Sequence, residues 1–251
     1  MRLLFLIALM LAPPAIAEPI AMSIAFSEGR YDEAAEMGEA HASADGYAFA
    51  ARAHLAEAMS TQETNPQPDL LSTAERFARH ALEIDPNHSE GRLQLAIALS
   101  LKARAMSAGT AMRSGYGQTA RDLAQSVLRD DPANFYAHGF LSVWHIEVVR
   151  RGGRFGASMM GASLNKAREH YTQARAIRDS DAATHWQYAR ALASLNPRAH
   201  RSVILAALDR ALKAPAQSEL ETLMQARAKK LLTCLTEQSD CKPKALARAL
   251  L

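Results

Sequence analysis

Four sets of residues in this chain could do chemistry: a serine–lysine pair, two spaced histidines, two cysteines and a run of clustered arginines. Ser163 and Lys166 match S-x-x-K, the spacing at which a lysine activates a serine nucleophile, but the companion K-T-G and S-D-N triplets are missing. Ser163 is therefore expected to start a helix, its hydroxyl capping free amides. His138 and His145 are seven residues apart and share one face of a predicted helix, yet no third ligand follows at close spacing, so no metal and no cofactor is expected. The sequence contains no G-x-S-x-G, H-E-x-x-H, G-x-G-x-x-G or Walker loop, and an enzyme is not expected.

The arginines fall in two insertions, Lys102–Gly117 and Val149–Gly161, which together hold seven of the twelve glycines and four of the ten methionines. Lys102–Thr119 and Ile146–Lys166 together carry a net charge of +6, while the rest of the chain after residue 17 sums to −4. Glycine permits unusual backbone angles, methionine packs adaptably, and arginine pairs with carboxylate or phosphate. The two insertions are expected to form one interaction edge for an acidic protein surface, an anionic ligand or a lipid headgroup. Arg104, Arg113, Arg150, Arg151 and Arg154 would attract, and Tyr116, Phe155, Met159 and Met160 would supply contact area. The plain alternative is a pair of solvated helix ends with flexible turns.

The start of the chain bears on where this takes place. Arg2, the apolar run Leu3–Ala12, Pro13-Pro14 and Ala15-Ile16-Ala17 have the parts of a secretory signal peptide, so residues 1–17 are expected to be cleaved, leaving 18–251. The apolar run is too short to span a bilayer, and no cysteine follows the cleavage site for lipid attachment. Export, read as bacterial and periplasmic, places Cys234 and Cys241 in an oxidising setting. A disulfide across their turn-like spacer would staple two helix ends; a metal pair or free thiols are the alternatives.

Composition sets the elements that must position these groups. Among 251 residues there are 51 alanines, and aromatics make up only 6%, which favours helix over sheet. Four segments end alike: Ala81–Pro86, Val127–Pro132, Ala174–Asp179 and Ala211–Pro215. The Asp-Pro pairs mark helix ends, because proline disfavours helix at the residue before it. A second helical pattern follows each, as in Leu93, Leu95, Ala96 and Leu99.

These residues resemble the tetratricopeptide repeat. The best match is Phe26 to Ala34, where Gly29 turns the chain, and Ala74, Ala120 and Ala167 take the same small-residue place as Ala34. Spacings of 40, 46 and 47 residues between these alanines exceed the family's usual ~34, the surplus lying between the two helices of a pair. The resemblance implies an all-α fold, an α-solenoid of about five antiparallel helix pairs with a C-terminal capping helix and a concave face. It also implies that Glu57, Glu90, Leu93, Ile97, Tyr136, Val143, Ile146, Trp186 and Arg190 lie on that face, Tyr136, Trp186 and Arg190 being interface-anchoring types, with core filling beside Tyr188 the equal alternative for Trp186. The function expected is an exported protein-binding or scaffolding module. The alternatives are a periplasmic small-molecule-binding solenoid associated with a transport system and, last, an enzyme. Export and weak overall charge argue against nucleic acid as a partner.

Overall fold

The computed structural model describes residues 17–61 and 67–250, which form thirteen helices and, among the described residues, no strand. They are α1 (Ala17–Ser27), α2 (Tyr31–Ala40), α3 (Ala44–Ser60), α4 (Pro68–Ile84), α5 (Ser89–Ala105), α6 (Ala108–Ser114), α7 (Tyr116–Asp130), α8 (Phe135–Met159), α9 (Leu164–Ile177), α10 (Ala182–Leu195), α11 (Arg201–Lys213), α12 (Glu219–Thr236) and α13 (Pro243–Ala249). The expected signal peptide, residues 1–17, lies outside the described residues except for Ala17. No helix of the described residues is long and apolar enough to cross a membrane.

Local chemistry fixes most boundaries. Helices α4 and α7 stop where Asp85 and Asp131 turn extended ahead of proline, and α9 and α11 stop at the equivalent Arg178 and Ala214. Seven helices begin with a side chain that accepts a bond from a free amide of the first turn: Ser107 for α6, Ser163 for α9 and, on five others, Ser43 for α3, His88 for α5, Asn134 for α8, Asp181 for α10 and Ser218 for α12. Between α1 and α2 the chain turns at Gly29, whose φ of 77° is open to glycine and strained for other residues.

Helices α3, α5, α8, α10 and α12 make an inner set. Helix α3 packs on α5, α5 on α8, α8 on α10, α10 on α12, and α12 returns to α3, so the series of contacts closes on itself. The remaining long helices fill the outside, α4 between α3 and α5, α7 between α5 and α8, and α11 between α10 and α12. Ala34, Ala74, Ala120 and Ala167 are fully buried on α2, α4, α7 and α9, where they let helix backbones approach. Helix α9 meets α10 through larger side chains: the Tyr171 ring stacks on Tyr188 at 3.8 Å, and its hydroxyl bonds His185 Nδ1 at 2.8 Å.

Closure is held by apolar and polar contacts alike. Tyr31 and Ala56 share one apolar cluster with Leu220, Met224 and Leu231. Arg227 of α12 donates to the Met59 carbonyl at 2.8 Å and the Thr61 carbonyl at 3.0 Å, occupying the end of α3. Helix α13 packs on α10 and α12, and Cys234 and Cys241, at disulfide distance with Cα atoms 5.4 Å apart, tie its approach to α12.

Candidate functional site

Because the inner helices meet end to end, the concave face expected from sequence is a chamber and not an open groove. Its volume is about 650 Å³, within the range of small-molecule sites, and its walls come from all five inner helices. Leu55, Leu93, Ile97, Phe140, Val143 and Met224 give it a mainly apolar lining. Tyr136, Met112 and Met159 line it too and are exposed, so the chamber communicates with solvent beside them.

The two insertions complete this wall. The first folds as α6, and the second is the far end of α8, which breaks at Gly153 (φ 57°, ψ −160°) and resumes to Met159. Arg151 ties them together, donating to the Arg104 and Met106 carbonyls at 2.8 and 2.5 Å. Met112, Gly156, Met159 and Met160 thereby line the chamber.

At one end the chamber adjoins a second space of about 350 Å³ lined by Arg104, Glu147, Arg150, Arg151, Arg190, Ser194 and Arg248. Arg104, Glu147, Arg151 and Arg190 line both spaces. Glu147 is the hub: its Oε2 accepts from Arg150 Nε and Nη2 at 2.8 and 2.6 Å, and its Oε1 from Arg190 Nη2 at 3.3 Å. Burial pushes the Glu147 carboxyl up, but Arg190, Arg150 and Arg104 outweigh it and hold the group below its ordinary value, ionised. Burial, then Arg190 and the neighbouring arginines, push the Arg104 guanidinium down to about 9, which leaves it charged at neutral pH. Burial also lowers Arg190 and Arg151. Among the lining residues, five guanidiniums face one carboxylate, an excess of four positive charges.

The other end of the chamber has the opposite character. Glu90, Asp181 and Glu221 line it near the starts of α5, α10 and α12; Arg52 pairs with Glu90 at 3.5 Å, and Asp181 caps α10 through Thr184 N at 2.7 Å. Burial raises the Glu221 carboxyl, and Asp181 adds to the shift against a backbone bond from Gln217.

The other sequence-predicted residues distribute as follows. Arg113, Arg154 and Phe155 are exposed, and among the described residues Phe155 is the most exposed large apolar side chain, at 75%. Tyr116 is half-buried and packs on the core beside Phe77 and Leu99. Tyr136 receives a bond from Arg178 at 3.2 Å. Arg190 is buried and faces the chamber, inaccessible to a protein surface. Of the two readings of Trp186 the structure has the core one: it is fully buried in one cluster with Tyr188 and Leu192, and so is not available as a partner-binding residue. Ile146 is likewise core, and Glu57 is not part of the lining, whereas Glu90, Leu93, Ile97, Tyr136, Val143 and Arg190 are. Ser163 Oγ accepts from Lys166 N at 3.2 Å and caps α9, while Lys166 Nζ donates to the Gly161 carbonyl.

Histidines form a cluster of their own. His138 Nδ1 meets His170 Nδ1 at 2.9 Å, and the His145 ring stacks on His170 with centroids 5.7 Å apart. Burial, then His170, Lys166 and Arg121, push His145 down to about 4; burial, then His138 and Lys166, do the same to His170. Sequence reasoning missed a further group, Asp32, His54 and Glu57, whose potential ligand atoms lie within 4.8 Å of one another. Burial and the neighbouring Asp32 raise Glu57 to about 7. His54 and Glu57 share a face of α3 through their i,i+3 spacing, but only the packing of α2 on α3 adds Asp32, which spacing along the chain does not report. Compared with models of known protein families the chain matches none, and it matches no curated protein sequence.

Proposed function

We propose that this chain is an exported, tetratricopeptide-like helical-repeat protein whose repeats close around a chamber that binds a small molecule with a large apolar body. The observation that carries the proposal is the chamber itself: about 650 Å³, bounded within one chain by five helices and lined mainly by apolar side chains. Apolar surface in contact with water is costly, at about 25 cal/mol per Å², and a ligand that covers it recovers that free energy. Concave, mainly apolar spaces with a few placed polar groups are the usual form of a small-molecule site. The expected disulfide, Cys234–Cys241, suits an oxidising compartment such as the periplasm. Binding without turnover is the activity proposed; the hydroxyl and carboxylate of Ser218 and Asp181 in the lining serve as helix caps.

Trp144 lines the chamber, whereas Trp186 is sealed in the core, so intrinsic fluorescence reports on the site. Titration with a neutral apolar probe, dodecanol, should change Trp144 emission saturably, with one molecule retained per chain in native mass spectrometry. Filling the space with Ile97→Phe and Val143→Phe should abolish both signals. No saturable change in the parent protein would reject the proposal.

A second reading, a protein-binding edge, is favoured by one observation: Phe155 and Met159 stand exposed beside Arg154 on the far end of α8. Exposed apolar side chains next to an arginine are the composition of contact surfaces. This edge and the chamber are compatible, since α8 contributes to both.

A further inference from the structure

The chamber's apolar walls do not explain why its inner end carries five arginines. Four of them, Arg104, Arg150, Arg151 and Arg190, are partly or wholly buried and repel one another, and one carboxylate cannot balance four; Arg248 is exposed at the rim. Arg150 and Arg190 are engaged by Glu147, and Arg151 spans the Arg104 and Met106 carbonyls, yet hydrogen bonds to neutral carbonyls leave the charge uncompensated. Arg248 donates to the Ser194 carbonyl at 3.3 Å, again without a counter-charge. Surplus buried charge is costly until an opposite charge joins it.

We propose that this arginine pocket is an anion site, and that the ligand of the chamber is an amphiphile with a carboxylate or phosphate-type head and an apolar body. The inference rests on the chamber's being a ligand site and specifies the chemistry of what fills it. Three observations converge on it. The two spaces adjoin, since Arg104, Glu147, Arg151 and Arg190 line both, so a molecule lying along the apolar walls has guanidiniums in the wall at that end. The pocket of about 350 Å³ has room for a head group beside the side chains already present. The opposite end presents Glu90, Asp181 and Glu221, which repel an anion and so orient the head toward the arginines. Planar guanidiniums match the two oxygens of a carboxylate or phosphate, and hydrogen bonds to charged groups in a water-poor space are the strong ones.

The test uses one chain length with different heads: dodecanoate, dodecyl phosphate, dodecanol and dodecyltrimethylammonium, each titrated into the parent protein with Trp144 emission as readout. The anionic heads should bind about ten- to a hundred-fold more tightly than dodecanol, and the cationic one more weakly than dodecanol. Dodecanoate outranking dodecyl phosphate, or the reverse, assigns the head group. Equal affinity for dodecanoate and dodecanol overturns the anion site while leaving the chamber a ligand site; failure of every probe rejects the chamber reading itself. Arg104→Gln removes one of the mutually repelling cations and is expected to fold. It should weaken dodecanoate about tenfold and leave dodecanol unchanged, whereas equal loss for both would make Arg104 a structural residue and overturn its role. The head-group series on the parent protein decides the matter even if the variant does not fold.

Discussion

Helix α8 carries two polar clusters along its length. Toward its far end Glu147, Arg150 and Arg151 gather Arg104 and Arg190 beside an open space; nearer its start His138 and His145 lie against His170 of α9. Both take polar groups out of water, but they meet the cost differently. The histidines give up their charge: His145 and His170 fall to about 4 and pack as neutral rings at ordinary pH. The arginines keep theirs and exceed their single carboxylate. The neutralised cluster carries no surplus charge, although both ring nitrogens of His145 are buried without a hydrogen-bond partner. The charged cluster keeps a surplus of positive charge beside a cavity, which is the feature on which the proposed anion site rests.

The largest expected effect comes from removing the hub of the charged cluster. Glu147→Ala leaves Arg150 and Arg190 without their carboxylate, and breaking a buried pair from one side costs about 3–5 kcal/mol. Urea unfolding of the variant should show that loss, and dodecanoate should restore part of it by taking the vacated role. A variant as stable as the parent would mean that the guanidiniums are well solvated, and the contrast with the histidine cluster would collapse.

The histidine cluster should show itself through acid. His145 titrates near 6.5 when unfolded and near 4 when folded, so the unfolded chain takes up its proton first. Its contribution is whole above pH 6.5 and is lost as pH falls toward 4, on the order of 3 kcal/mol. Glu57, raised to about 7, works in the opposite sense, since its protonated form is favoured by folding as pH falls from 7 to 4.5. The clean measurement is therefore the difference between parent and His145→Leu across that range. The parent should lose stability relative to the variant on acidification; parallel curves would show that His145 is protonated in the folded protein.

Gly153 is where the chamber wall depends on backbone freedom. Its φ of 57° with ψ −160° lies in a region reserved almost wholly for glycine, although a Cβ there would meet nothing within 4 Å. Gly153→Ala should cost about 1–3 kcal/mol from strain alone, and relief of that strain would swing Met159 and Met160 away from the chamber. Denaturant midpoints give the cost, and Trp144 emission, which Met160 borders in the same cluster, gives the displacement. An unchanged midpoint would mean that α8 can relax at no expense.

The sequence made much of this legible where local rules act. Helix ends followed from Asp85-Pro86 and Asp131-Pro132, the close helix approaches from alanines at repeated spacing, and the chamber residues Glu90, Leu93, Ile97, Tyr136, Val143 and Arg190 from repeat register. What escaped depends on distances that only the whole curvature sets. That α12 returns to α3, with Arg227 reaching the Met59 and Thr61 carbonyls, is a sum of small rotations that no local pattern reports. Trp186 had the right type and period for the inner face, but α10 is covered on both sides, so either face can be core. The arginines of the insertions were legible as a group and not as individuals: Arg104, Arg150 and Arg151 line the pocket, while Arg113 and Arg154 face solvent. Arg248, which joins the pocket from α13, belonged to no motif at all.

That last division gives the smallest expected effect and a strict control. Arg154→Glu combined with Phe155→Ser changes two exposed positions just past the Gly153 break, and stability should move by no more than about 0.5 kcal/mol. Dodecanoate affinity should stay within about twofold of the parent, because a solvated charge is screened over about 8–10 Å at ordinary salt. A protein that docks on this edge, by contrast, should be lost from cross-linking with the double variant and retained with Arg104→Gln. The double variant lowers the net charge by two and Arg104→Gln by only one, so net charge cannot explain a larger loss of dodecanoate with Arg104→Gln. If Arg154→Glu/Phe155→Ser weakened dodecanoate as much as Arg104→Gln, the anion would be answering to the field of the whole basic edge, and the inward-facing guanidiniums would hold no privileged place in recognition.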